Sequence, residues 1–288
     1  MSLRIEPLTI DVHLEAQYNA RAAVPEHVEI QADWQRRSER LRATRDCKLD
    51  LAYGDGERHK LDLFTAAASN GPLQMFLHGG YWQRGDRRAN HFVAEGLCAH
   101  GVNVAMVGYD LCPSVTLDDI VAQTRAALAW LWRNADALGF DAGRIQVCGH
   151  SAGGHLAAML MATHWPGQGA DLPVDAIHSG LAISGLYQLE PLRHTSLNEA
   201  LAMDAETATR NSPASLPGTG SAPFTAAVGG LESAEFHRQA ATLAERWRDR
   251  SGAVDILNVP GTNHFTILEQ LARQGVLLER ALALLEQQ

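Results

Sequence analysis

The sequence predicts an α/β fold with a mostly parallel sheet covered by helices on both faces. Strand-length apolar runs alternate with amphipathic helical stretches along most of the 288 residues. Hydrophobic residues make up 46% and charged residues 20% of the chain, which is enough apolar material for two packed layers. Ligands bind such sheets at the carboxyl ends of the strands, so we expect the active site on strand-to-helix loops.

The N-terminal part differs from the rest of the chain. Residues 8–45 carry apolar positions at helical spacing, interrupted by Pro25, and predict short helices. We therefore expect residues 1–45 to form a helical arm or cap and residues 46–288 to form the α/β domain. A hairpin with strands at 49–53 and 60–64, joined through Gly54-Asp55-Gly56, is predicted to open the sheet.

The remaining strands and helices alternate in order. Further strands are predicted at 73–77, 102–109, 144–148, 180–184, 224–228 and 254–259. Helices are predicted at 90–100, 117–138, 152–164, 233–250 and 265–285. Residues 186–222 break this rhythm, with three prolines, Gly218-Thr219-Gly220 and only short helical pieces such as 197–204. They predict an insertion over the site.

Composition excludes several classes of partner. Twenty-four basic against 33 acidic residues give a net charge of −9, which disfavours nucleic acid and anionic membrane surfaces. The four cysteines are scattered without metal-like spacing, so we expect reduced thiols in a cytoplasmic protein with no metal and no cofactor. The N-terminus lacks the pattern of an export signal, and no stretch reaches the roughly 18 apolar residues of a membrane helix.

The strongest motif is Gly149-His150-Ser151-Ala152-Gly153, between the predicted strand 144–148 and the predicted helix 152–164. A G-x-S-x-G sequence in a strand-turn-helix context is typical of the nucleophile elbow of α/β-hydrolases. The alternative, a glycine-rich helix start with an incidental serine, does not account for that context. Ser151 is therefore the predicted nucleophile of a serine hydrolase.

A second motif, His78-Gly79-Gly80-Tyr81-Trp82, directly follows the predicted strand 73–77. Glycines allow backbone N–H groups to approach an oxyanion without a Cβ in the way. We expect Gly79 and Gly80, together with the N–H of Ala152, to form the oxyanion hole. His78 is expected to hold this loop by hydrogen bonding.

A serine nucleophile needs a base and an orienting acid, which in this fold follow in the order Ser, acid, His. Among the histidines after Ser151, His264 is the one that follows the last predicted strand. The acid is expected on the loop after strand 224–228, where Glu232 comes first. Glu235 is the alternative, although an acidic residue in the first turn of a helix has a simpler explanation. Below about pH 6 a protonated His264 could not accept the serine proton, so activity should fall.

Several motifs together resemble the arylformamidases, or kynurenine formamidases, which are related to the hormone-sensitive-lipase branch of esterases. They are His78-Gly79-Gly80-Tyr81-Trp82, Gly149-His150-Ser151-Ala152-Gly153, Ser184-Gly185-Leu186-Tyr187-Gln188-Leu189-Glu190-Pro191, Arg210-Asn211-Ser212-Pro213 and Glu235-Phe236-His237-Arg238-Gln239. The resemblance implies a metal-free triad of Ser151, Glu232 and His264. The family usually carries Asp where Glu232 stands.

The substrate follows less directly from the residues. Tyr81, Trp82 and Tyr187 could form an aromatic wall for an aryl leaving group, or could simply pack in the core, and His150 is a further candidate for substrate contact. The resemblance implies an aryl formamide such as N-formylkynurenine. Short acyl or aryl esters are the alternative, because both reactions share one tetrahedral intermediate. A binding protein that has lost turnover is disfavoured, since Ser151 and His264 are both present.

Overall fold

The fold is built on one eight-stranded sheet. The computed structural model describes residues 10–67, 70–218, 222–248 and 254–287. The strands are β1 (Cys47–Ala52), β2 (Lys60–Phe64), β3 (Gly71–Leu77), β4 (Asn103–Val107), β5 (Phe140–His150), β6 (Ser179–Ile183), β7 (Phe224–Gly229) and β8 (Val254–Val259). They follow the order β1-β2-β4-β3-β5-β6-β7-β8, in which the β1–β2 and β2–β4 pairs are antiparallel and the other described pairs are parallel. The predicted fold class is confirmed.

Helices cover both faces of this sheet. The α-helices of the described ranges are α1 (Val12–Tyr18), α2 (Ala20–Ala23), α3 (His27–Thr44), α4 (Ala94–Ala99), α5 (Leu117–Leu138), α6 (Ala152–Met161), α7 (Asn198–Leu201), α8 (Ala205–Arg210), α9 (Ala234–Trp247), α10 (Glu269–Ala272) and α11 (Val276–Glu286). None of the helices in these ranges is long and apolar enough to cross a membrane.

Three predicted helices are more broken than their sequence patterns indicate. The helix predicted at 90–100 begins as a 3-10 helix, Arg87–Val93, before α4. The one predicted at 265–285 is divided into α10 and α11 at Gly275, which lies so close to Gln270 that a Cβ would come within 2.7 Å of its carbonyl oxygen. The piece predicted at 197–204 ends at Leu201 because Ala202 is left-handed, with φ 48°.

Parts of several predicted segments fall outside the described residues. They are residues 1–9 of the predicted arm, residues 219–221 of the predicted insertion, and residues 249 and 250 of the helix predicted at 233–250.

Two apolar cores, one on each face, hold the sheet between its helices. In β3, Leu73, Met75 and Leu77 belong to one core and Phe76 belongs to the other, as the alternation of side chains along a strand requires. Strand β3 is buried along its whole length, which is typical of a central parallel strand. It pairs with β5 so that Leu77 lies opposite Gly149. This register brings the loop after β3 beside the turn after β5.

Helices α1 to α3 pack against the end of the sheet where those loops lie. Trp34 of α3 stacks on Phe92, with ring centroids 5.3 Å apart, and the Ser38 hydroxyl donates to the Ala89 carbonyl at 3.0 Å. Arg37 pairs with Glu269 at 2.7 Å. The described part of the N-terminal segment is therefore fixed on the sheet, above the carboxyl ends of its strands.

Candidate active site

Ser151 lies at a sharp turn between β5 and α6. Its backbone has φ 57° and ψ −119°, a conformation that side chains other than glycine adopt only under strain. The flanking glycines are sterically required: a Cβ at Gly149 would lie 2.1 Å from the carbonyl oxygen of Gly153, and one at Gly153 would lie 2.0 Å from that of Leu77. The turn thus holds Ser151 at the N-terminus of α6, at the edge of the sheet.

The structure places Ser151, His264 and Glu232 in one hydrogen-bonded series. The Ser151 hydroxyl donates to Nε2 of His264 at 3.0 Å, and Nδ1–H of His264 donates to Oε2 of Glu232 at 2.7 Å. All three side chains are almost fully buried. This geometry allows the imidazole to take the serine proton while the carboxylate stabilises the resulting charge.

Glu232 is held by more than the imidazole. Its Oε1 accepts hydrogen bonds from the Ser184 hydroxyl at 2.5 Å and from the Gly229 N–H at 2.7 Å. Burial raises the pKa of Glu232, but the charge of His264 and the hydrogen bonds from His264, Ser184 and Gly229 outweigh it, so the pKa lies below its usual range. Glu232 is therefore a carboxylate at neutral pH.

Glu235 is placed elsewhere. Its carboxylate accepts from the Tyr18 hydroxyl at 2.6 Å and pairs with Arg238 at 2.8 Å. It makes no hydrogen bond to His264. Of the two acids considered from the sequence, the structure brings Glu232 to the imidazole.

The loop after β3 lies beside the nucleophile. Gly80 has φ 124°, which favours glycine, and the N–H groups of Gly79, Gly80 and Ala152 donate to no group within the described ranges. His78 lies beneath this loop, where its Nδ1 donates to the Gly79 carbonyl at 2.8 Å and its ring stacks on Tyr109 at 4.2 Å. The three N–H groups are thus available to an oxyanion on a carbon attacked by Ser151.

A cavity of about 610 Å³ opens above Ser151 and His264. Its walls come from the loop after β3, the turn after β5, the loop after β8 and, to a large extent, the helices at the N-terminal end of the chain. The residues that this N-terminal segment contributes are Glu15, Tyr18, Asn19, Ala20, Arg21, Val28, Gln31, Ala32, Trp34 and Gln35. The expected insertion at 186–222 contributes Ser196 and Leu197.

The aromatic wall differs from the expected one. Tyr81 and His150 line the cavity, but Trp82 and Tyr187 do not. Trp82 is fully buried, with its ring edge-on to His155 at 4.9 Å, and Tyr187 is fully buried in the core. Both side chains pack in the interior, so neither is exposed to a substrate in the cavity.

The residues that sequence reasoning missed supply this wall instead: Tyr18, Trp34 and Phe265 line the cavity. Phe265 directly follows His264, the predicted base, so its place beside the site could have been predicted from the sequence. Tyr18 and Trp34 lie on the helical segment before the hairpin, and nothing local in the sequence shows that this segment folds over the site.

Buried neutral histidines surround the triad. Burial lowers the pKa of His78 to about 4, and burial together with the charge of His264 lowers that of His150 to about 3. Nε2–H of His150 donates to the backbone carbonyl of His264 at 2.7 Å. At neutral pH these two rings are therefore uncharged groups that hydrogen-bond to the backbone carbonyls of Gly79 and His264.

The buried imidazole rings of His78, His150 and His155 make the stability of the fold depend on pH. Burial also lowers the pKa of His155 to about 4, so between the ordinary value of 6.5 and about 4 the unfolded chain binds more protons than the folded one. The free energy of unfolding should therefore decrease as the pH is lowered through that window. Each ring should contribute on the order of 1–3 kcal/mol. Glu232, with its lowered pKa, adds a further loss as pH falls below its ordinary pKa of 4.5.

Urea titrations at pH 7.5, 6 and 5 test this: the midpoint should fall steadily. His155→Gln should flatten the dependence, whereas His100→Gln, at an exposed position, should not. Equal midpoints at pH 7.5 and pH 5 would contradict the expectation.

An α/β sheet that presents a strained serine, a hydrogen-bonded imidazole and carboxylate, and unpaired N–H groups defines a serine hydrolase of the α/β-hydrolase class. Comparison with known proteins agrees. The BD-FAE family model matches residues 61–170. A kynurenine formamidase of Salmo salar is 36% identical over 81% of this chain and 80% of its own length. The chain belongs to the kynurenine formamidase family.

Two further comparisons support this assignment. The kynurenine formamidase of Danio rerio is 32% identical over 85% of this chain and 84% of its own length. The crystal structure of a candidate thioesterase from Silicibacter sp. TM1040 is 33% identical, covers 92% of this chain and 97% of its own, and superposes with a TM-score of 0.83. The chain is a hydrolase of the formamidase and esterase type, and enzymes of this type act on small molecules.

Proposed function

We propose that this enzyme hydrolyses aryl formamides, with N-formylkynurenine as the representative substrate. The observation that carries the proposal is the Ser151–His264–Glu232 series beneath a cavity with aromatic walls. A cavity of about 610 Å³ has room for an aryl leaving group as well as the single-carbon formyl group. The relatives named kynurenine formamidase support the same substrate class.

The reaction follows from the geometry. Ser151 Oγ attacks the formyl carbon while its proton passes to Nε2 of His264. The oxyanion is stabilised by the N–H groups of Gly79, Gly80 and Ala152, and Glu232 stabilises the imidazolium. The imidazolium then protonates the departing aniline nitrogen. Water, deprotonated by His264, cleaves the formyl-serine ester and releases formate.

The N-terminal segment completes the site in this proposal. We infer that residues 1–45 act as a cap on an α/β domain of residues 46–288, because their described part supplies ten of the residues that line the cavity. The Tyr81 hydroxyl donates to the backbone carbonyl of Tyr18 at 2.5 Å and so ties the cap to the oxyanion loop. The segment 186–222 is then an insertion at the rim. Free cysteine thiols suit the cytoplasm as the site of action.

Formate release separates the proposed activity from its alternative, a carboxylesterase for short acyl or aryl esters. With purified enzyme we expect kcat/KM for N-formylkynurenine to exceed that for p-nitrophenyl acetate and butyrate. Ser151→Ala serves as the blank for both reactions. Rapid turnover of the esters with no formate from N-formylkynurenine would reject the formamidase proposal in favour of the esterase.

A further inference from the structure

Two arginines at the cavity have no counter-charge. Arg21 of α2 and Arg84, in the loop that follows the oxyanion glycines, both line the cavity that holds Ser151. Within the described part of the chain, neither guanidinium makes a hydrogen bond or an ion pair. Nearby Arg87, by contrast, pairs with Asp62 at 2.9 Å. Arg21 and Arg84 are both exposed to solvent at the cavity.

The two charges lie close enough to affect each other. Partial burial lowers the pKa of Arg21, and the positive charge of Arg84 lowers it further. Like charges at the wall of one cavity raise the energy of the empty site. An anion placed between them would remove that cost.

The acidic residues of the cavity are already engaged. Glu15 accepts from the N–H and the hydroxyl of Ser196, each at 2.7 Å. Asp86 accepts from the N–H of Arg88 at 2.9 Å and lies 3.5 Å from a nitrogen of Arg58. Arg21 and Arg84 are therefore the charged side chains of the cavity that have no hydrogen-bonded or ion-paired partner among the described residues.

We propose that Arg21 and Arg84 bind a carboxylate on the leaving group of the substrate. Guanidinium groups match a carboxylate through paired N–H donors and stay charged at all physiological pH values. The inference rests on the proposed function, and it names the residues that would select substrates with a carboxylate on the leaving group.

The positions of Arg84 and Arg21 determine which way the substrate would lie in the cavity. The Arg84 N–H donates to the Gly80 carbonyl at 3.1 Å, so its side chain starts one turn from the oxyanion loop. Arg21 faces the cavity from the cap. The carboxylate would thus lie at the outer end, beneath the cap, while the formyl group lies at Ser151. An aryl group fits between the two ends, against Tyr81 and Trp34.

The test compares two substrates that differ only in charge: N-formylkynurenine and the same molecule with its carboxylic acid replaced by a primary carboxamide. Formate release gives kcat and KM for each. We expect Arg21→Gln and Arg84→Gln to raise KM for the acid roughly 5- to 30-fold each, and to leave the carboxamide within about twofold. Arg84→Lys should recover part of the loss, because lysine keeps the positive charge but lacks the paired N–H donors of the guanidinium group.

Arg40→Gln is the matched control: Arg40 is an exposed arginine of the same N-terminal segment, on α3, and does not line the cavity. In the wild type, raising KCl from about 0.05 M to 0.5 M should raise KM for the acid and not for the carboxamide, since salt screens exposed charges. If both substrates release formate and neither variant changes the ratio of KM for the acid to KM for the carboxamide, this inference alone is overturned. No formate from either substrate in the wild type would overturn the proposed function, and this inference with it.

Discussion

Replacing Ser151 with alanine is expected to lower kcat for formate release by roughly 10⁴- to 10⁶-fold. The substitution removes the hydroxyl that donates to Nε2 of His264, the proposed nucleophile, and leaves His264, Glu232 and the proposed oxyanion N–H groups in position. Residual catalysis would come from binding and from the oxyanion hole. Formate release under single-turnover conditions measures the loss. Labelling by a fluorophosphonate probe, which requires an activated serine, should disappear in parallel.

The strained backbone of Ser151 supplies a control for folding. Ser151→Gly should be equally inactive, yet about 1 kcal/mol more stable than Ser151→Ala, because φ 57° suits glycine. Urea unfolding of the two variants measures this difference. Probe labelling of Ser151→Ala at the wild-type rate would show that another residue is the nucleophile.

The hydrogen-bonded series of Ser151, His264 and Glu232 could be predicted from the sequence because its signals are local. The elbow at Ser151 needs only its own neighbours, since Gly149 and Gly153 are fixed by contacts within the turn and with β3. His264 and Glu232 follow from chain order, because every parallel strand in this sheet ends at the same edge. The positions of the buried parallel strands could also be predicted from the sequence, since such strands are continuous apolar runs.

The substrate-facing surface could not be found in the same way. Tyr81 and Trp82 are adjacent and both have positive φ, of 50° and 57°, yet one lines the cavity and the other is fully buried. Which way each ring turns depends on the packing around the loop, and no pattern in the sequence encodes it. Trp34 reaches the site through contacts with Phe92 and His150, far away in the chain. Such walls are set by tertiary contacts alone.

Replacing Glu232 with glutamine is expected to lower kcat by roughly 10³- to 10⁴-fold, with little change in KM. A neutral amide cannot stabilise the imidazolium of His264. Its oxygen also has to satisfy Ser184 and Gly229, so its NH₂ group tends to face Nδ1 and favours the wrong tautomer. Formate release as a function of pH measures the effect. Glu235→Gln, which alters the alternative acid in the first turn of α9, should stay within a few-fold of wild type.

Two milder variants separate the charge of Glu232 from its position. Glu232→Asp keeps the carboxylate but is one methylene too short to reach both Ser184 and His264, so we expect a loss of roughly 10- to 100-fold. Ser184→Ala leaves Glu232 in place and removes one hydrogen bond that lowers its pKa. The pKa of Glu232 should then rise, so activity should begin to fall at a higher pH on the acidic side, with KM unchanged. A Ser184→Ala enzyme with a wild-type pH profile would show that Ser184 only packs against the carboxylate. Equal losses for Glu235→Gln and Glu232→Gln would show that the imidazole is oriented by a different acid during turnover.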